Sequence, residues 1–241
     1  FNRPQARNAL TFGMYNRLAA VCSNVPNDGS VKTIVISGAG GKAFAAGTDM
    51  TQFRAFENEQ DALDYENRID EVLDAVERCP LPTVAAIHGA CTGGGGSIAA
   101  ACDIRIATIR LKFGFPIART LGDCLAAGNL TGLSELIGAG RVRELIFTAR
   151  LIEADEACAV GLVTEILPDE DSLLARAAEL AHQLGEMAPL TLRATKEAMR
   201  RNRAAVKVDD SDLILSCYMS DDFRTGMEAF LNKRKPKWSG R

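Results

Sequence analysis

Thr83-Val-Ala-Ala-Ile-His-Gly-Ala-Cys-Thr-Gly-Gly-Gly-Gly-Ser97 is the stretch on which the fold turns. Residues 83–88 are small, β-branched or apolar and stop at Gly89, which reads as a buried strand. Glycine dominates 89–96, and Ser97 to Cys102 is small and apolar enough to pack as a tight helix. Four consecutive glycines each carry an entropic cost on folding. Two causes justify it: backbone that needs positive φ, or a ligand that approaches bare backbone closely. Free N–H groups where the loop becomes a helix suit negative charge. A plain strand–helix turn explains the glycines equally well at this level.

Working outward, strands and helices alternate. Upstream, Asn8 to Ser23 has helical spacing at Leu10, Met14, Leu18 and Val21. Val31 to Ser37 reads as a buried strand ended by Gly38-Ala-Gly-Gly41. Then comes the small-residue segment Lys42-Ala-Phe-Ala-Ala-Gly-Thr-Asp49, and a polar helix to about Cys79 that Pro80 and Pro82 stop. Downstream, Asp103 to Thr108 reads as a strand and Lys112 to Pro116 as a short strand or turn. Leu133 to Thr148 and Glu153 to Val160 read as helices, Gly161 capping the second. Leu162 to Leu167 reads as a strand. Helices are expected over Asp169–Gly185 and Pro189–Arg203, and again from Asp209 through Lys233. The pattern is an α/β layer fold over 1–188 with a helical C-terminal region, 189–241.

Composition narrows the function. The 241 residues hold 28 Lys and Arg against 31 Asp and Glu, a net charge of −3, with 47% hydrophobic residues. This balance gives no electrostatic footprint for nucleic acid. No apolar run reaches the roughly 18 residues of a membrane span. Seven cysteines without a CxxC pair and only two histidines argue against a zinc site or a disulfide framework. A cytoplasmic protein with reduced thiols is expected. The chain starts Phe1-Asn2-Arg3-Pro4, without signal-peptide character, as if a short N-terminal strand were missing.

Nucleotide-phosphate binding is a weaker reading of the glycines. Gly38-Ala-Gly-Gly-Lys42 lacks the glycine at 36 and the hydroxyl at 43 that a P-loop needs. Gly94-x-Gly96-x-x-Ala99 fits a loose dinucleotide fingerprint, but the next strand ends Ile106-Ala-Thr108 without the required acid.

Taken together, Arg3-Pro4-x-x-Arg7-Asn8-Ala9-Leu10, Lys42 to Asp49, and Gly89-x-x-x-Gly-Gly-Gly-x-x-Ile98 with Asp103 and Ala107 resemble the crotonase (enoyl-CoA hydratase/isomerase) superfamily. Phe113-Gly-x-Pro116, Ala157-x-x-x-Gly161-Leu-Val163 and Gly226-Met-x-Ala229-Phe-Leu-x-Lys233-Arg234-x-Pro236 extend the resemblance over nearly the whole chain. It implies a ββα spiral core and a helical C-terminal region that builds a homotrimer or dimer of trimers. It implies a lyase or isomerase acting on an acyl-CoA, with no cofactor besides the coenzyme A of the substrate. By the same resemblance the backbone N–H groups of Thr48 and Gly94 form an oxyanion hole for the thioester oxygen. Ala46, Asp49, Met50, Gly93 and Lys233 fall at positions that hold coenzyme A, and Pro116, Ile117 and Leu121 line the acyl pocket. Small residues in both loops fit this chemistry, because backbone donors aimed at a developing enolate need no side chain.

The chain departs from the resemblance where hydratases carry two glutamates. Ser97 and Ile117 stand there instead. Syn addition of water needs a base for the water and an acid for carbon, so ordinary enoyl-CoA hydration is expected to be weak or absent. Asp123, six residues past Ile117, is the replacement acid or base to examine first; its alternative role is an Asx turn or helix cap. Ser97 and Thr120 are candidates for positioning water. Decarboxylation, C–C hydrolysis and isomerisation are the reactions that survive without the glutamates. A catalytically silent acyl-CoA-binding protein is the rival from another class.

Overall fold

The computed structural model describes residues 1–205 and 208–241. Among them, eight strands form two sheets. In the first, β1 (Ile34–Ser37), β3 (Thr83–Ile87), β5 (Ile104–Thr108) and β8 (Glu165–Leu167) lie side by side, all parallel. In the second, β2 (Ala43–Ala45), β4 (Ala90–Thr92) and β6 (Lys112–Gly114) are parallel, and β7 (Ile152–Glu153) closes the edge antiparallel to β6. The helices are α1 (Phe12–Ser23), α2 (Glu59–Arg78), α3 (Gly94–Ala101), α4 (Ile117–Thr120), α5 (Ala127–Ile137) and α6 (Ala139–Thr148). They continue with α7 (Ala154–Ala159), α8 (Glu170–Gly185), α9 (Pro189–Ala204), α10 (Ser211–Tyr218) and α11 (Asp221–Leu231). Each turn of chain gives one strand to each sheet and returns through helix: β1-β2-α2, then β3-β4-α3, then β5-β6-α4. This is the ββα spiral that the resemblance implies.

The sequence explains why these turns stack. β3 is buried at every residue, as a central parallel strand covered on both faces must be. α2 is started by a capping box of Asn58 and Asp61, and it buries Ala62, Tyr65, Ile69, Val72, Leu73 and Val76 along one stripe. α3 is aimed from its far end. Arg105, buried in β5, donates to the carbonyls of Ala99, Ala100 and Cys102 and, at 2.8 Å, to Leu162. A cation on the last carbonyls also complements the helix dipole. The N-terminus of α3 therefore points away from Arg105.

Several boundaries differ from the sequence expectation. α1 begins at Phe12, because Arg7 and Asn8 adopt left-handed φ of 49° and 56°. The segment expected as one helix over 133–148 is two, broken at Gly138 with φ 81°. β7 was not expected; its Ile152 pairs with Phe113. β1 and β8 are shorter than their apolar runs.

Asn8 shows why α1 starts late. Its buried amide donates to Ala39 O (3.0 Å) and Ala43 O (2.8 Å) and accepts from the Arg3 N–H (2.8 Å). Asn8→Ala leaves these groups without a partner and places alanine at positive φ. An expected loss on the order of 3 kcal/mol follows, read as a lower urea midpoint with unchanged slope.

Candidate active site

The two small-residue loops meet at the N-terminus of α3. Leu10 donates to Gly47 O and accepts from the Asp49 N–H, both at 2.8 Å. That pairing engages the peptide groups on either side of Thr48 and leaves the Thr48 N–H outside it. Gly94 is the first residue of α3, so its N–H has no intrahelical acceptor. A Cβ placed on Gly94 would lie 3.4 Å from Thr48 Oγ1, so the two residues are direct neighbours. Gly93, with φ 52°, donates its N–H to Gly114 O at 3.1 Å. It serves as the hinge that ties the loop to β6, and its amide is already engaged. A Cβ on Gly95 would lie 2.3 Å from Ala45 O; glycine there lets α3 sit directly on β2.

Hydroxyl groups continue from Thr48 into the core. Thr48 Oγ1 is 2.8 Å from Tyr15 Oη and 2.9 Å from Tyr65 Oη. Burial pushes both phenols well above their usual range, so they stay protonated at any working pH. Tyr65 packs edge-on against Phe53 (4.8 Å between ring centroids) and lies 6.0 Å from Tyr218. Tyr218, on α10, donates to Glu66 Oε1 at 2.5 Å. Glu66 is buried beside Tyr65 on the inner stripe of α2. Asp123, in the loop between α4 and α5, has a buried Oδ1 without a hydrogen-bond partner among the described residues.

The charge of Asp123 acts on Glu66 and on the phenols of Tyr65 and Tyr218. Burial pushes Glu66 up to about 8; the Tyr218 bond opposes this, and the charges of Asp123, Asp70 and Asp210 add to it. Burial likewise pushes Asp123 up to about 7, against a bond from its own backbone and with Cys217 adding to the rise. Burial thus holds both carboxyls above the usual carboxylate range. A cleft of about 490 Å³ opens between α2, α3, α5 and α9, with Ser97, Asn129, Asp70 and Asp210 on its wall beside Arg200 and Arg203; Thr48, Gly94, Glu66 and Asp123 do not line it.

The remaining expected residues take varied places. Ser97 is buried, accepts from Asn129 Nδ2 at 2.7 Å and lies 3.4 Å from Gly93 O, so its hydroxyl is held within the loop. Pro116 precedes α4 and Ile117 is its buried first residue. Leu121 packs against α11, where a Cβ on Gly226 would meet Leu121 O at 2.3 Å. Ala46 donates to Arg7 O. Asp49 caps the 3-10 turn Met50–Ala55 and pairs with Arg3 at 2.9 Å. Burial pulls its carboxyl upward, but bonds from Thr51 and Arg3 outweigh that and hold it below the usual range. Asp49 thus braces its loop, and Met50 is buried in the core. Lys233 is exposed at the end of α11 with φ 54°; no hydrogen bond or ion pair of its side chain joins it to the cluster. His88 is a core residue beside Thr108, and Asp103 ties Thr83 to Lys196.

Thr48 and Gly94 stand together with Tyr15 and Tyr65, which were not expected; Asp123 is linked to Tyr65, Glu66 and Tyr218 through its charge alone. Among the described residues no cluster of three or more His, Cys, Asp or Glu is arranged to hold a metal ion. No helix among them is long and apolar enough to cross a membrane.

Known proteins share this arrangement of chain. A short-chain-enoyl-CoA hydratase of Clostridium acetobutylicum is 34% identical over 239 residues, covering 97% of this chain and 90% of that protein. The human mitochondrial Delta(3,5)-Delta(2,4)-dienoyl-CoA isomerase is 33% identical over 232 residues, 91% of this chain and 70% of that one. A solved structure of methylmalonyl-CoA decarboxylase in complex with 2-nitronate-propionyl-CoA superposes with a TM-score of 0.89 at 28% identity, covering 100% of this chain and 94% of the other. The enoyl-CoA hydratase/isomerase family model matches residues 1–241. With that match and these relatives, the chain belongs to the enoyl-CoA hydratase/isomerase family.

Proposed function

We propose that the protein is an acyl-CoA enzyme that forms an enolate of its thioester substrate, held by the N–H groups of Thr48 and Gly94. The observation that carries this is the direct apposition of Thr48 and the N-terminus of α3, with both amides outside the surrounding ladders. Backbone donors fixed in a half-buried, braced loop need no reorganisation as charge develops on the thioester oxygen. Asp123 moves the proton: its buried, unpartnered oxygen and its pKa of about 7 suit a base working near neutrality. Ala46, Asp49, Met50, Gly93 and Lys233 belong to the coenzyme A side of this proposal, with Asp49 and Gly93 acting by holding the loops. Assembly through α9–α11 belongs to it too, since Leu190, Met199 and Leu213 face solvent in the single chain and a second copy would cover such apolar surface.

Hydration of a simple enoyl-CoA is expected to be slow. Ser97 is tied to Asn129 and Ile117 is apolar, so neither supplies an acid or a base where the resemblance puts glutamates. The test combines acetyl-CoA titration by calorimetry with crotonyl-CoA hydration followed by loss of enoyl-thioester absorbance. Binding is expected, with hydration at least about a hundredfold below that of a two-glutamate enzyme. Fast hydration would overturn the reasoning from Ser97 and Ile117; absence of binding would overturn the acyl-CoA reading. Decarboxylation is a second reading, favoured by the backbone likeness to methylmalonyl-CoA decarboxylase.

A further inference from the structure

We propose that Cys124 and Cys217 are a modification site, a thiol pair that hydrogen peroxide converts to a reversible disulfide tying the loop after α4 to α10 beside Asp123. Both thiols are free and half-buried in this structure. Cys124 Sγ lies 3.8 Å from Leu213 O. Leu213 stands one helical turn before Cys217, on the same face of α10. The two side chains are also in hydrogen-bond contact with each other. A second link keeps the loop in register, because the Ala127 N–H donates to Asp210 Oδ2 at the entry to α10. The sulfurs thus already face each other, and a bond needs only their short approach to about 2 Å.

Access sets this pair apart from a second one. Cys22 and Cys79 are likewise in hydrogen-bond contact, but they are 0% and 2% exposed between the ends of α1 and α2. A solute does not reach them. Cys217 instead follows exposed Ser216, and Leu213 one turn earlier is exposed as well. The bond with Cys124 pulls the Cys217 thiol down, burial opposes, and the Ser216 hydroxyl adds to the fall, leaving it at about 6. Cys124 is pushed up by the same bond, by burial, and by the charges of Cys217, Glu66 and Asp123. Cys217 therefore holds the thiolate while Cys124 keeps its proton. A reachable thiolate with a second thiol against it is what peroxide oxidises selectively.

The step balances with one peroxide. The Cys217 thiolate attacks a peroxide oxygen, the O–O bond breaks, and the departing hydroxide takes a proton to become water. This leaves a sulfenic acid on Cys217. Cys124 sulfur then attacks Cys217 Sγ; the S–O bond breaks, and the hydroxyl leaves with the Cys124 proton as a second water. The two thiols lose two electrons, and the peroxide gains them. A dithiol reductant reverses the change by thiol–disulfide exchange.

The bond has a consequence for the site, which rests on the enolate reading with Asp123 as base. Asp123 precedes Cys124 in the chain, and no hydrogen bond among the described residues holds its buried Oδ1 in place. Drawing Cys124 toward α10 moves that carboxyl, and a misplacement of about 1 Å costs on the order of a hundredfold in rate. Oxidation is therefore expected to slow enolate formation.

The experiment treats the reduced protein with a small excess of hydrogen peroxide and maps its alkylated peptides by mass spectrometry. Enolate formation is read beside it as deuterium exchange into the methyl group of acetyl-CoA by proton NMR. A linked Cys124–Cys217 peptide is expected, with Cys22 and Cys79 still open to alkylation once the chain is unfolded. Exchange is expected to fall at least about tenfold and to return with dithiothreitol. Cys124→Ser keeps the exchange rate of the reduced parent, forms no link and accumulates a dimedone-reactive sulfenic acid on Cys217. Cys217→Ser leaves Cys124 unoxidised. Absence of the linked peptide from the treated parent overturns the proposal, and a Cys124 that reacts as fast in Cys217→Ser overturns the placing of the thiolate. A link that leaves exchange unchanged overturns its bearing on Asp123. A reduced parent that neither binds acetyl-CoA nor exchanges its methyl hydrogens overturns the enolate reading, while the peptide map still decides the disulfide.

Discussion

Asp123→Asn is expected to lower kcat for an enolate-forming reaction by about 10²–10⁴-fold, with acetyl-CoA affinity nearly unchanged. Asparagine has the size and shape of aspartate but cannot accept a proton from carbon. The buried Oδ1 has no hydrogen-bond partner among the described residues, so the substitution breaks no hydrogen bond at that atom. Stability moves the other way. Folding raises the Asp123 pKa from 3.8 to about 7, which means that the folded chain favours the neutral acid. Its contribution is fully present below pH 4 and is lost as pH rises through 7. The asparagine variant has no such loss. It is expected to melt near the parent at pH 4 and above it at pH 8. A variant that is slower yet more heat-stable at pH 8 separates catalysis from folding, a trade-off usual at active sites. Retention of the parent kcat would remove Asp123 from the mechanism.

The parts of this molecule legible in its sequence are those where one local pattern suffices. The strand at 83–87 is set by neighbours in the chain and appears as expected; the glycine-rich stretch after it also carries the unexpected β4, and the small-residue helix starts at Gly94 rather than at Ser97. The split of one expected helix at Gly138 was less visible, because Leu136, Ile137, Val142 and Leu145 keep an apolar spacing across the break. Asn8 carries helical spacing in sequence, yet its amide satisfies carbonyls of a loop more than thirty residues on. Glu66 is the instructive omission. The segment Asp61-Ala-Leu-Asp-Tyr-Glu-Asn-Arg-Ile69 reads as a solvated helix by composition. Placed on the stripe of Ala62, Tyr65, Ile69, Val72 and Leu73, however, Glu66 falls on the buried side. A carboxylate on an apolar stripe is a signal that periodicity alone can reveal. Its bond from Tyr218 is different in kind. It depends on α10 returning across α2, a contact that no local pattern encodes.

Gly94→Ala is expected to cost about 10²–10³-fold in kcat, and Tyr15 is the reason. The added methyl would stand 1.9 Å from Tyr15 Oη and 3.2 Å from its Cζ. Tyr15 has no easy retreat: the ring is 1% exposed, and its hydroxyl bonds to Thr48. Either the ring withdraws and takes Thr48 with it, or the first turn of α3 lifts. Both outcomes change the separation of the Thr48 and Gly94 amides, and an oxyanion site misplaced by about 1 Å loses most of its benefit. Because the clash lies with one oxygen atom, it can be relieved. Tyr15→Phe removes that oxygen and leaves the ring carbon at 3.2 Å, a tight contact within reach of small adjustments. The double variant Gly94→Ala, Tyr15→Phe is therefore expected to recover at least about tenfold of the loss. Tyr15→Phe alone changes the rate by less than about tenfold, since Thr48 keeps its bond to Tyr65. Rates of the three variants, with acetyl-CoA affinities beside them, decide the matter. If Gly94→Ala turns over at the parent rate, the amide at the start of α3 takes no part in holding the enolate. If the single loss appears but the second substitution recovers nothing, the glycine is needed for a reason other than the room that Tyr15 occupies.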